Sequence, residues 1–290
     1  MARARNGDIE LEYETFGSPA GRPLLLIGGM VAQLTMYPVA FCRALADAGF
    51  QVIRFDNRDV GLSTRLDGVS APSLLGGLLR PSSAPYTLRD MADDAVAVMD
   101  AAGWSSAHVL GTSMGGYIAQ LVATRHPDRV RSLISVSSTP APRGGMPKLS
   151  VLRRMSRIVK TPETSREKAE DLAVEMFRLV GSPAYPFDEE GVRETARLSY
   201  DRSPATPEGN LRQRAAAASA RDLRPALSRL RIPVLVLHGD RDVMMKPEAA
   251  RGMAAVIPGA RLVLYPGMGH DLPKPLWPAM IEEIRRVAAD

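Results

Sequence analysis

The chain has 290 residues, 45% of them hydrophobic and 24% charged, with a formal net charge of +5. That length and composition fit one large globular domain or two small ones and exclude a disordered or fibrous chain. The positive balance raises nucleic acid as a partner. However, most cations are interleaved with acids, as on a solvated surface, and no nucleic-acid motif accompanies them, so none is expected.

The opening residues, MARARNGDIELEYETFG, turn acidic within ten positions and hold no apolar core of signal-peptide length. No apolar run approaches the roughly 20 residues of a membrane span. A cytoplasmic protein with no membrane partner is the expectation. Cys42 is the single cysteine, so no internal disulfide can form. Oligomeric state has no signature in the sequence.

In chain order, DIELEYETFG alternates polar and apolar residues, as an edge strand would. PLLLIGG (23–29) is short and apolar throughout, which fits a strand buried on both faces of a parallel sheet. MYPVAFCRALADAG (36–49) has helical spacing and stops at Gly49. FQVIRFD (50–56) follows as a strand. TLRDMADDAVAVMDAAG (87–103) predicts a helix, with Thr87 as cap and Asp90 three residues on, close to a capping box. AHVLG is again a strand, MGGYIAQLVATRH a helix, and VRSLISVSS (130–138) a strand.

The alternation stops after residue 139. Residues 140–225 are Arg-rich and polar, with helical stretches broken by Pro and Gly, and carry most of the net positive charge. Within them, 143–160 hold Arg143, Lys148, Arg153, Arg154, Arg157 and Lys160 and no acid; a solvated helix face is the default reading. Strands resume at IPVLVLHGD (232–240) and ARLVLYPG (260–267), and a final helix, PAMIEEIRRVAAD, ends the chain. This pattern predicts an α/β fold: a mostly parallel sheet with helices on both faces, built from 1–139 and 226–290 and interrupted by a helical insertion over 140–225.

Chemistry concentrates in three loops. GTSMG sets Ser113 between two glycines, after an apolar strand and before a helix, the context of a nucleophile elbow. The alternative is a glycine-rich loop whose serine merely caps the helix. A serine nucleophile needs a base. His108 lies inside a strand, His126 at a helix end, and His238 at the end of a strand. His270, in the glycine-flanked loop PGMGHDLP after the last strand, has the freedom to reach the C-terminal edge of the sheet, where ligands of open α/β sheets collect. The base needs an orienting carboxylate, and HGDRDVMM offers Asp240 and Asp242; Asp242, further out in the loop, is favoured. An oxyanion hole needs two backbone N–H donors: Met114, after the nucleophile, and either Gly29 or Met30 after the strand PLLLIGG.

Serine, aspartate and histidine in this chain order, each after a strand, resemble the α/β-hydrolase superfamily over essentially the whole chain. IGGM takes the place of the superfamily's His-Gly-x oxyanion segment, with Gly28 where histidine is expected. FDNRDVGLS (55–63) is similar to its Asp-x-Arg-Gly-x-Gly-x-Ser turn, with Asp59 at the first glycine and Asp56 and Arg58 as turn formers. Both departures resemble the aclacinomycin methylesterase branch and related actinobacterial serine esterases. The resemblance implies a Ser113–Asp242–His270 triad, a helical cap over 140–225, no metal and no organic cofactor.

The expected activity is hydrolysis of a small-molecule carboxyl ester through an acyl-enzyme, with a bulky polyketide-type ester implied by the branch. The same triad serves lactonases, thioesterases and C–C bond hydrolases. A catalytically idle, ligand-binding hydrolase fold is the alternative of another class.

Overall fold

The computed structural model describes residues 2–70, 84–141 and 147–289. Eight strands form one sheet: β1 (Ala2–Asn6), β2 (Ile9–Phe16), β3 (Arg22–Ile27), β4 (Phe50–Phe55), β5 (Ala107–Thr112), β6 (Val130–Val136), β7 (Val234–Gly239) and β8 (Arg261–Tyr265), in the order β1-β2-β4-β3-β5-β6-β7-β8. The pairs β1–β2 and β2–β4 are antiparallel and the rest parallel. The expected edge position of β2 is corrected: Ala2–Asn6 pairs along its outer side, and Leu11, Glu12 and Tyr13 are buried in succession, with Phe16 packed on the opposite layer.

Helices cover the sheet from both sides. In β3, Leu24 and Leu26 point to one layer and Leu25 and Ile27 to the other, all at 0% exposure, as a period of two requires. The first layer packs against α1 (Val39–Asp47) and, at the chain's end, α10 (Trp277–Val287). The second packs against α2 (Leu88–Ala101), α3 (Met114–Arg125) and α9 (Pro247–Val256). Burying each such leucine contributes roughly 2 kcal/mol, which fixes the register of the strand. Thr87 and Asp90 form a complete capping box at the start of α2. Cys42 on α1 is fully buried, and that burial pushes its thiol up to about 12.

Between β6 and β7, the described residues form five helices and no strand: α4 (Leu149–Lys160), α5 (Arg166–Val180), α6 (Glu189–Arg202), α7 (Pro207–Ala218) and the short α8 (Arg224–Leu227). Lys148, just before α4, and Arg153, Arg154, Arg157 and Lys160 within it are exposed, while Ile158 is buried. Arg157 pairs with Glu175 of α5, and Arg154 lies 3.8 Å from the same carboxylate. Arg143 falls outside the described residues. No helix among the described residues is long and apolar enough to cross a membrane.

Because β3 lies between β4 and β5, chain order reverses there, and the loops after β3 and β5 open side by side at the C-terminal edge. The loops after β7 and β8 lie on the same edge. This topology brings the three loops singled out in the sequence together.

Candidate active site

Ser113 stands at φ +57° and ψ −120°, a left-handed conformation that costs a residue with a side chain about 1–3 kcal/mol. The surroundings enforce it. The Ser113 N–H donates to Val136 O at 2.9 Å, and Ser138 Oγ donates to Ser113 O at 2.7 Å. A methyl on Gly111 would meet Gly115 O at 2.0 Å, and one on Gly115 would meet Ile27 O at 2.1 Å, so backbone alone fits. Ser113 occupies the N-cap position of α3 yet makes no side-chain cap bond. Its hydroxyl turns instead to His270 Nε2, 3.0 Å away.

His270 is largely buried, and its backbone N–H is held by Val180 O at the end of α5 at 2.8 Å. Its Nδ1 lies 2.7 Å from Asp242 Oδ2. A carboxylate only accepts, so Nδ1 donates and Nε2 is left as the acceptor facing Ser113. The Asp242 side chain is 0% exposed, and its other oxygen accepts the N–H groups of Met244 and Met245, each at 2.8 Å. The carboxylate is therefore fixed from both ends and aimed at one ring nitrogen.

The other candidates go elsewhere. Asp240 accepts the Gly267 N–H at 2.6 Å and ties the two loops together without touching His270. His238 Nε2 donates to Met245 O at 2.8 Å and lies 3.5 Å from Asp242 Oδ2. Burial pushes its pKa down, so the ring is neutral and props the Asp242 loop. His108 pairs with Ser132 within the core, and His126 with Asp93 at 2.8 Å.

The N–H of Met114 opens α3, where the first turn leaves its donors without helical partners and the helix dipole favours negative charge. Gly29 borders the serine: a methyl on it would stand 3.6 Å from Ser113 Cβ. Its N–H, however, points at Met36 Sδ, 3.0 Å away. The N–H groups of Met30 and Met114 have no partner among the described residues. The same sulfur would lie 3.2 Å from a methyl on Gly28, so Met36 fills the space that a side chain at position 28 would need.

Contacts from the insertion were not visible in the sequence. Asp56 is a turn former as expected, accepting Leu34 N at 2.6 Å and Leu62 N at 3.0 Å, but it also pairs with Arg202 of α6 at 2.7 Å. Asp59, at φ +67°, accepts Leu66 N and forms a two-pronged pair with Arg212 of α7 at 2.9 and 2.7 Å. Arg58 pairs with Asp94 of α2 at 2.6 Å. On the opposite rim, Ser182 Oγ donates to Asp271 and accepts the Gly269 N–H at 2.8 Å. Burial raises the pKa of Asp271. The insertion is thus bonded to both the loop after β3 and β4 and the loop that carries His270. No group of three or more His, Cys, Asp or Glu among the described residues is arranged to hold a metal ion.

Comparison with known proteins agrees with this architecture. The chain is 31% identical over 283 residues to rhodomycin D methylesterase DauP of Streptomyces sp. (strain C5), covering 92% of this chain and 90% of that one. It is 32% identical over 293 residues to rhodomycin D methylesterase DnrP of Streptomyces peucetius, covering 92% and 91%. Among solved structures, a thermophilic esterase from Thermogutta terrifontis with malate bound superimposes over the full length of both chains, with a TM-score of 0.73 and 28% identity. The family model for the alpha/beta hydrolase fold matches residues 22–273, and with a match of that extent the chain belongs to the alpha/beta hydrolase fold family.

Proposed function

We propose that the protein is a serine carboxyl-ester hydrolase acting through an acyl-enzyme. The observation that carries this reading is the relay Ser113 Oγ to His270 Nε2 at 3.0 Å and His270 Nδ1 to Asp242 at 2.7 Å, on a strained elbow beside two N–H groups without a partner among the described residues. His270 takes the Ser113 proton as Oγ attacks the ester carbonyl, and Asp242 holds the ring in the accepting tautomer and stabilises the imidazolium. The carbonyl oxygen, now negative, receives the N–H groups of Met114 and Met30. Gly29 is set aside as second donor because its N–H is engaged with Met36 Sδ. His270 then protonates the leaving alcohol, and water, deprotonated by the same ring, releases the acid.

Residues 140–225 serve as the cap in this reading, supported by their bonds to both rims of the site; residues 142–146 of that span lie outside the described residues. The substrate class is a methyl ester of a bulky polyketide-type acid, which rests on the likeness to the two rhodomycin D methylesterases. Turnover of p-nitrophenyl and methyl esters, thioesters and lactones by the native chain and by Ser113→Ala tests the proposal. Ester hydrolysis is expected to fall by about 10⁴-fold or more in the variant. Undiminished ester turnover by Ser113→Ala refutes the mechanism, and a preference for lactones or thioesters over esters refutes the substrate class.

A further inference from the structure

The turn that presents the Met30 N–H is closed by its own backbone through one long bond, from Ala32 N–H to Gly29 O at 3.4 Å. Gly28 and Gly29 have no side chains, and Val31 stands at φ +56°. A β-branched residue in that region is an outlier, disfavoured by about 1–2 kcal/mol. Left to itself, such a residue returns to negative φ, turning the Met30–Val31 peptide and swinging the neighbouring N–H.

One side chain opposes this, and it comes from the insertion. Gln213 on α7 is 0% exposed. Its Oε1 accepts the Val31 N–H at 2.7 Å, and its Nε2 donates to Arg58 O at 2.9 Å. Both polar ends of the amide are satisfied, and each grips the backbone of a different loop. The preceding residue, Arg212, is locked on Asp59, so α7 holds Gln213 on a fixed base.

We infer that Gln213 is the positioning residue of the oxyanion loop, using its bond to Val31 N–H to keep a strained turn in the conformation that aims the Met30 N–H. This rests on the assignment of Met30 as an oxyanion donor above. The insertion then supplies part of the frame for the transition state as well as a cover for substrate. A displacement of about 1 Å in such a donor costs on the order of 100-fold, and losing one donor outright costs about 10²–10³ in kcat. The loss expected on releasing the turn is about 10- to 100-fold, in kcat and not in KM, because the interaction exists only with the developing oxyanion.

The test compares kcat and KM on one p-nitrophenyl ester, together with thermal unfolding, for Gln213→Met and for Gln213→Met with Val31→Gly. Gln213→Met keeps the length of the side chain and removes the acceptor; it is expected to lower kcat about 10- to 100-fold with KM within about threefold. Glycine accepts positive φ without penalty, so adding Val31→Gly should restore about fivefold or more of the lost kcat. If Gln213→Met does not fold, Gln213→Asn, one methylene too short to reach both partners, carries the same expectation. A folded variant that keeps kcat, a loss confined to KM, or a kcat loss that Val31→Gly leaves unchanged overturns the inference. Ser113→Ala run alongside separates the two failures: if it abolishes turnover while the Gln213 variants keep kcat, the triad reading stands and only the role of Gln213 falls.

Discussion

Replacing Asp59 with glycine restores the residue expected at that place in the superfamily's turn and should nevertheless destabilise the protein. The Asp59 and Arg212 side chains are 0% and 1% exposed, and their two bonds measure 2.9 and 2.7 Å. Removing one partner of a buried pair costs about 3–5 kcal/mol because the other charge stays buried without compensation. Arg212 keeps one bond, to Val69 O at 3.0 Å, which does not neutralise it. Against this, glycine relieves the backbone at φ +67°, a gain of no more than about 1 kcal/mol for a residue as tolerant of that region as aspartate. The net loss is about 2–5 kcal/mol. With an unfolding entropy of about 2.1 cal/mol/K per residue over 290 residues, or about 0.6 kcal/mol/K, Tm should fall by about 3–8 °C. Differential scanning calorimetry of the native chain, Asp59→Gly and Asp59→Gly with Arg212→Met measures this. The double variant removes the stranded charge and should recover most of the loss. An unchanged or raised Tm in Asp59→Gly, or a double variant no better than the single, refutes the account.

Asp242→Asn would keep an acceptor for Met244 and Met245 but present an amide to His270, favouring the wrong tautomer; kcat should drop by about 10⁴-fold with the fold intact, and a loss under tenfold removes Asp242 from the relay. Gly115→Ala drives a methyl to 2.1 Å from Ile27 O and should yield no folded protein, so a soluble variant melting near the native temperature contradicts the close approach of elbow and β3. Burial holds the folded-state pKa of His238 below 6.5, so the unfolded chain takes up this proton first on acidification. The stability it contributes is complete above about pH 6.5 and lost as pH falls below that. Melting curves between about pH 7 and 5 should therefore slope less in His238→Gln than in the native chain; parallel slopes count against it.

The parts of the fold that sequence made legible are those governed by neighbours. The run ending in Leu24–Ile27 announced a doubly buried strand because every side chain in it is apolar, and Thr87 with Asp90 announced a helix start three residues apart. The elbow was legible because glycines at 111 and 115 answer a steric demand within five residues. The strand Ala2–Asn6 was not legible, since its short alternation of alanine and arginine holds no β-branched or aromatic residue and buries only Ala4, while its arginines pair with Glu10. Asp56 and Asp59 were read only as turn residues because their arginine partners lie 146 and 153 positions away, on helices whose docking no local pattern encodes. The bond between the Gly29 N–H and Met36 Sδ was equally hidden, since no local pattern tells where that sulfur comes to rest.

The burial of Cys42 has a practical consequence. With its thiol at about 12 and no exposed surface, the single cysteine of the chain is inert towards maleimides and methanethiosulfonates under mild conditions. A cysteine introduced at exposed Leu198 on α6, paired with another at exposed Val243 beside the Asp242 loop, would take up probes at those two positions alone. Distances between spin labels or fluorophores attached there would then report, in the working enzyme and without rebuilding its core, whether the insertion stays seated through a catalytic cycle.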